Sequence, residues 1–204
     1  MAVELSRALL AGSLALALFV SVPTGEAADA EGNFALRGIG AGSCAETNER
    51  ISQEPEAAMH MLSWLLGYVT AINRHRDDTF DVSPILEGES LLHLMAGLCS
   101  EHPDAPVEAV VNDLLETLAV ARVRASSDVV ETAADGQSAS IRQETLVRIQ
   151  ERLIELGHLD GAADGLYGPM TRGALEAYQA DQDISVTGIA DPVTIVRLLV
   201  EGEQ

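Results

Sequence analysis

The 204-residue sequence contains no lysine, and all twelve of its basic residues are arginine. Thirty-two Asp and Glu residues outnumber them, so the formal net charge is -20 at pH 7. A partner with a phosphate backbone requires a basic surface, which a chain of this charge does not offer. The composition therefore excludes nucleic acid as a partner and indicates a solvated acidic surface.

Long apolar runs are scarce as well. The run from Ala8 to Val22 follows Arg7 and precedes small residues. It spans about 15 residues, whereas a membrane-crossing helix needs roughly 20. This pattern predicts a secretory signal peptide over residues 1–30, with an uncleaved N-terminal anchor as the alternative. We therefore expect a periplasmic or secreted protein with no integral membrane segment after signal cleavage.

Only two cysteines are present, Cys44 and Cys99. Cys44 lies too far beyond the apolar run to carry a lipid anchor. In an oxidising compartment an even count favours one disulfide between the two residues. Closing a loop of this size removes chain entropy worth about 4 kcal/mol from the unfolded state.

The sequence also lacks the usual signatures of an enzyme. It contains no H-E-x-x-H, no G-x-S-x-G and no C-x-x-C, and its five histidines show no metal-ligand spacing. We therefore predict no catalytic residue, no metal site and no cofactor.

Residues 31–124 carry apolar residues at helical spacing in three stretches. These run from Glu56 to Asn73, from Leu86 to Ser100, and from Pro106 to Ala121. The spacing predicts three amphipathic helices, and nothing in this part alternates like a strand. The expected product is a helical, disulfide-linked domain. Residues 125–140 combine small and acidic residues without an apolar period and are predicted to be a linker.

Several residues of this first domain resemble a broad family of exported helical domains that includes HdeA-like acid-stress chaperones and Tai-type immunity proteins. The resemblance rests on Cys44, Trp64-x-x-Gly67-Tyr68, Asn73 and Cys99-x-x-x-Pro103. A purely structural role, with Trp64 and Tyr68 filling the core, accounts for the same residues.

Residues 141–204 predict three helices joined by tight turns. The first, Ile141 to Leu156, is amphipathic and ends at Gly157. Two further helices begin with a proline in the first turn, at Pro169 and Pro192, and each proline follows a glycine turn and precedes a threonine. The predicted fold class is therefore all-α, with two small helical domains on either side of the linker.

The same residues closely resemble the peptidoglycan-binding domain found beside many cell-wall hydrolases. One position departs from it, because the family often has glycine where this chain has Asp183, which tolerates the left-handed conformation better than most residues. The resemblance rests on core and turn positions at fixed spacing: Gln150, Leu153, Leu156-Gly157, Gly161, Asp164-Gly165-Leu166-Tyr167-Gly168, Thr171, Ala174, Tyr178-Gln179, Ile184, Thr187-Gly188, Asp191-Pro192 and Thr194.

The resemblance implies that peptidoglycan, as stem peptide or glycan, binds in a shallow groove near the D-G-x-Y-G turn. The candidate ligand-binding residues are Asp164, Tyr167, Thr171, Arg172 and Gln179. Tyr167, Arg172 and Gln179 would supply an aromatic face and hydrogen-bond donors. Asp164 would equally serve to cap its own turn, and the turn glycines are explained by backbone conformation.

Three functions are consistent with these observations. The first is a non-catalytic wall-binding protein whose C-terminal module tethers a helical interaction domain, with another envelope protein as a further partner. The second is an inhibitor or immunity protein directed against a wall-degrading enzyme. The third is a peptidoglycan hydrolase, or an accessory subunit of one, with its catalytic domain in residues 31–124.

Overall fold

In the computed structural model of the protein, Asp29, Glu31 and residues 33–203 are described. Apart from Asp29, the predicted signal peptide of residues 1–30 lies outside this part. The compact unit that carries the fold begins at Leu36. Within the described residues, no helix is both long and apolar enough to cross a membrane.

The described chain is predominantly helical, as predicted. The last helix continues as a π-helical turn, Val196–Val200, and a short 3₁₀ turn, Glu201–Glu203. In chain order the elements are α1 Cys44–Gln53, α2 Pro55–His75, α3 Gly88–Glu101, α4 Val107–Leu118, β1 Val129–Ala134, β2 Gln137–Arg142, α5 Gln143–Glu155, α6 Pro169–Asp181 and α7 Pro192–Ile195.

Helices α2, α3 and α4 confirm the three predicted amphipathic stretches. Each buries a row of residues at three- or four-residue spacing, and α2 contacts α3 while α3 contacts α4. In α2 the buried row includes Met61, Leu65 and Val69, whereas the equally spaced Met59 and Leu66 are exposed. Burying one such side chain contributes about 1.5–3 kcal/mol. The fully buried large residues of this half of the core are Met61, Leu65, Ile85, Met95, Leu115 and Leu118.

The predicted disulfide between Cys44 and Cys99 is present, and both residues are buried. It joins the start of α1 to the end of α3. Backbone hydrogen bonds reinforce this junction, because the Cys44 N–H donates to the Ala105 carbonyl at 2.9 Å and the Val107 N–H donates to the Gly42 carbonyl at 3.0 Å. The segment before α1 is therefore fastened to the loop between α3 and α4.

Trp64, Tyr68 and Asn73 each have a structural role on α2 and at its end. The indole of Trp64 packs so closely on Gly40 that a Cβ there would overlap it, and its Nε1 donates to the Arg37 carbonyl at 3.1 Å. The Tyr68 hydroxyl donates to Glu108 Oε1 at 2.7 Å. Asn73 Oδ1 accepts from the Val82 N–H at 2.7 Å. These contacts favour the structural explanation of the motif.

The segment predicted to be a linker, residues 125–140, is largely a β-hairpin. Strands β1 and β2 pair antiparallel, with Thr132 opposite Ala139. Asp135 and Gly136 form the turn, and their φ angles of 52° and 83° are both positive. That backbone suits the right-handed twist of a two-residue hairpin. The hairpin leads directly into α5, because Ile141 and Arg142 belong to β2.

The two predicted domains share one hydrophobic core. Ile141, Leu146 and Ile149 from the C-terminal part belong to the same buried cluster as Met61 and Leu115. The π-helical turn after α7 contacts both α4 and α5. The division at residues 125–140 therefore does not separate two independent cores, since the helices on both sides pack against each other.

Candidate functional site

Two turns of the C-terminal part have the same construction. The first turn comprises residues 164–171, with the sequence D-G-L-Y-G-P-M-T, and the second comprises residues 187–194, with the sequence T-G-I-A-D-P-V-T. In each, the glycine has a φ of 70° and a helix begins at the proline. Their glycines are required by this left-handed backbone, which other L residues rarely adopt.

A buried glutamine from the preceding helix organises the first turn. Gln150 is 1% exposed. Its Nε2 lies within hydrogen-bond distance of Asp164 Oδ1 at 3.2 Å, of the Leu166 carbonyl at 3.0 Å and of Thr171 Oγ1 at 3.0 Å. Its Oε1 accepts from the Gly165 N–H at 2.7 Å. One amide thus joins both ends of the turn to α5.

Gln179 performs the same task in the second turn. Its Nε2 lies 2.9 Å from Thr187 Oγ1, 3.1 Å from the Ile189 carbonyl and 2.9 Å from Thr194 Oγ1. Its Oε1 accepts from the Thr187 and Gly188 N–H groups at 2.9 and 2.8 Å. The partners occupy the same relative positions as those of Gln150, so the two turns form an internal structural repeat.

The repeat extends to the helix face beneath each glycine. A Cβ on Gly165 would lie 2.7 Å from Gln143 Cγ, and one on Gly188 would lie 2.9 Å from Glu176 Oε1. A side chain at either glycine would therefore have to displace side chains of the neighbouring helix, in addition to straining the backbone. Asp183, before the second turn, has a φ of 53°, which confirms the predicted left-handed residue.

Three of the five candidate ligand-binding residues serve the turns themselves. Thr171 and Gln179 are 4% and 0% exposed and engaged as described. Asp164 Oδ1 accepts from the Leu166 N–H at 2.9 Å. That backbone hydrogen bond, followed by the one from the Gln150 side chain, lowers the pKa of the Asp164 carboxyl. Asp164 is therefore ionised at neutral pH and caps its own turn.

Tyr167 connects the two turns. Its hydroxyl donates to the Gly188 carbonyl at 2.7 Å, and its half-buried ring packs against the core. Burial raises the pKa of the Tyr167 hydroxyl. Both the hydroxyl and the ring therefore have structural partners, and the ring is not a freely exposed platform.

Removing only the Tyr167 hydroxyl tests this connection. We expect Tyr167→Phe to lower the free energy of unfolding by about 1 kcal/mol, because the Gly188 carbonyl loses its donor while the ring stays in place. Urea denaturation of the full chain measures the change. An unchanged denaturation midpoint would show that the bond carries no stability.

The Arg172 side chain is 37% exposed and makes two ion pairs. Its Nε donates to Glu176 Oε1 at 2.7 Å and its Nη2 to Asp135 Oδ2 at 2.8 Å. It borders a shallow depression of about 420 Å³ that the hairpin tip, including Glu131, also lines. Since carboxylates surround the guanidinium, its positive charge is already neutralised locally.

All three tyrosines of the chain have a raised pKa. Burial is the main cause at Tyr68, Tyr167 and Tyr178, and the hydrogen bond to Glu108 adds to it at Tyr68. The folded chain keeps these protons above pH 10, where unfolded tyrosines with a pKa of about 10 release theirs. Their contribution to stability is therefore complete below about pH 10 and lost as the pH rises above it.

An alkaline titration should therefore show little tyrosinate absorbance until the protein unfolds. We expect the absorbance and the loss of helical circular dichroism to rise together above about pH 10. Tyr68→Phe should remove part of the absorbance step. Titration of all three residues near pH 10 with the helical signal intact would contradict the burial described above.

The structure also draws attention to two residues that the sequence did not single out as ligand contacts. Both lie in the first turn, residues 164–171. Leu166 is 63% exposed, and Met170, the second residue of α6, is 61% exposed. The equivalent of Leu166 in the second turn, Ile189, is 4% exposed. An alignment of the two turns in the sequence would have paired Leu166 with Ile189. It would not have shown that only Ile189 is buried, because the hairpin that covers Ile189 was not predicted. Among the described residues, no group of three or more metal-binding side chains is present.

Comparison with known proteins identifies one part of the chain. Residues 142–198 match the family model described as "Putative peptidoglycan binding domain". The match contains both turns and both glutamines and begins at the last residue of the hairpin. No curated protein and no solved structure matches the chain.

Proposed function

We propose that the protein is a non-catalytic, wall-binding protein of the cell envelope, exported by its N-terminal segment into the periplasm or beyond. The observation that carries this proposal is the pair of glutamine-locked turns within the segment that matches the peptidoglycan-binding family. Helices α1–α4 form the interaction part, which the wall-binding turns hold at the peptidoglycan.

The shared core supports a rigid tether. Helix α4 contacts the C-terminal helical turn, and the hairpin packs on the second turn through Thr132 and Ala134. A partner bound to the helical part would therefore be held at a fixed distance from the wall. If residues 125–140 were a flexible linker, the two parts would instead move independently.

An inhibitor or immunity role against a wall-degrading enzyme is the second candidate. Its support is the resemblance of the disulfide-linked helices to Tai-type immunity proteins at Cys44, Trp64, Tyr68 and Cys99. Adding envelope extract to the chain, with and without purified wall, separates the two. If the protein is a tether, its partner should sediment together with the wall. If it is an inhibitor, it should capture a hydrolase even without wall and reduce the release of soluble muropeptides.

The absence of enzymatic activity is part of the proposal. The described residues contain no cluster of three or more metal-binding side chains, and the histidines lack the spacing of a catalytic set. The full chain should release no more soluble muropeptide from purified wall than a heat-inactivated sample. Release above that level would favour the hydrolase hypothesis.

The direct test of wall binding is sedimentation of the full chain with protein-free peptidoglycan. We expect the chain to appear in the pellet and to be displaced by soluble wall fragments. A chain that stays in the supernatant at every wall concentration would contradict the proposal. The full chain is used because its C-terminal helices share their core with the preceding ones.

A further inference from the structure

The two equivalent turns differ in what covers them. In the second turn, Ile189 forms a small buried cluster with Ala134 and Ala139 of the hairpin. In the first turn, Leu166 occupies the same position and is 63% exposed. The protein's own hairpin thus covers Ile189 in the second turn, whereas the equivalent Leu166 in the first turn is uncovered.

The hairpin shows what kind of chain the turn accepts. Thr132 and Ala134 lie on the same face of β1, two residues apart. The Ala190 N–H donates to Thr132 Oγ1 at 3.2 Å, and the methyl groups of Ala134 and Ala139 cover Ile189. The cover is therefore an extended segment that offers one hydrogen-bond acceptor to the turn and small apolar side chains beside it.

The first turn offers matching groups. Tyr167 occupies the position of Ala190, and within residues 33–203 its N–H has no hydrogen-bond partner. Leu166 and Met170, which precede and follow Tyr167 in the same turn, are 63% and 61% exposed. An N–H without a partner next to an exposed leucine corresponds to the two groups with which Ala190 and Ile189 contact the hairpin.

We propose that the first turn binds the wall stem peptide as an extended, alanine-bearing segment, in the way that the second turn binds β1. This inference rests on the proposed wall-binding function and names its ligand class. A peptide carbonyl would accept from the Tyr167 N–H, and an alanine methyl group would pack on Leu166. A sugar would instead require a flat aromatic face, whereas the Tyr167 hydroxyl already binds the Gly188 carbonyl.

The test compares two probes and two matched variants of the full chain. The probes are a synthetic stem tetrapeptide ending in D-alanine and the wall disaccharide without peptide. The variants are Leu166→Ser and Met59→Ser, which remove leucine and methionine side chains that are 63% and 65% exposed. Both should fold normally, because neither side chain is in the core, and their thermal unfolding midpoints check this.

We expect the tetrapeptide, and not the disaccharide, to shift the backbone amide resonances of Gly165, Leu166 and Tyr167. Leu166→Ser should weaken tetrapeptide and wall binding about tenfold or more, the effect of losing one apolar side-chain contact, while Met59→Ser should leave both unchanged. Wall binding by the wild type with selective binding of the disaccharide, or with an unaffected Leu166→Ser variant, would overturn this inference alone. Failure of the wild type to bind wall would overturn the proposed function as well.

Discussion

Replacing Gln179 with alanine is expected to lower the free energy of unfolding by about 3–5 kcal/mol. The side chain is fully buried and contacts Thr187, Gly188, Ile189 and Thr194 through both atoms of its amide. Its removal leaves backbone N–H and carbonyl groups without partners and also creates a cavity, and each of these effects costs stability.

Gln182, which directly follows the same helix, provides the matched control. It is exposed, and its Nε2 lies 3.5 Å from the neighbouring Asp181 carboxylate. Gln182→Ala should therefore change stability by no more than about 0.5 kcal/mol. Urea denaturation of both variants gives the comparison. Equal effects at the two positions would contradict the assigned role of Gln179.

Removing the disulfide is the second change with a large expected effect. The double variant Cys44→Ala, Cys99→Ala should be less stable by about 4 kcal/mol, because the unfolded chain regains the freedom of a loop with a sequence separation of 55 residues. The junction between the start of α1 and the end of α3 should loosen first.

Reductant provides the control for this prediction. It should lower the denaturation midpoint of the wild type towards that of the double variant and leave the variant itself unchanged. Alkylation of the native protein should find no free thiol, in agreement with the pairing of both cysteines. A stability loss below about 1 kcal/mol would show that hydrogen bonds at the junction suffice without the covalent link.

The longer helices could be predicted from the sequence because their burial follows the helical period. Helices α2, α3 and α4 each place an apolar residue every three or four positions against the core. Helix α1 was missed, since it buries only Cys44 and Thr47 and is otherwise polar. Its position depends on the disulfide and on backbone hydrogen bonds from distant loops, which periodicity does not reveal.

The hairpin was missed because all of its buried residues except Ile141 are small, and Ile141 was assigned to the following helix. Thr132, Ala134 and Ala139 do not produce the strong apolar alternation of a typical strand. The Asp135-Gly136 pair was nevertheless a turn signal of the kind that two-residue hairpins favour. Interpreting residues 125–140 as a linker followed composition and gave too little weight to that dipeptide.

The turns were recognised in the sequence, but the partners of their side chains were not. The repeated order of glycine, proline and threonine predicted two similar helix starts. It did not reveal that Gln150 and Gln179 bind the turns from inside, because each glutamine precedes its turn by several residues. Gln179 was instead predicted to contact peptidoglycan, because its side chain is polar and can donate hydrogen bonds to a ligand.

The most direct test of the central claim is a binding isotherm of the full chain on protein-free peptidoglycan at several salt concentrations. From residue 126 onward the chain has fourteen acidic residues against five arginines, so release of counterions from a polyanion cannot supply the affinity. We expect saturable binding whose dissociation constant changes by less than about threefold between about 50 mM and about 500 mM salt. No binding at any salt concentration, or binding that disappears as the salt rises, would contradict it.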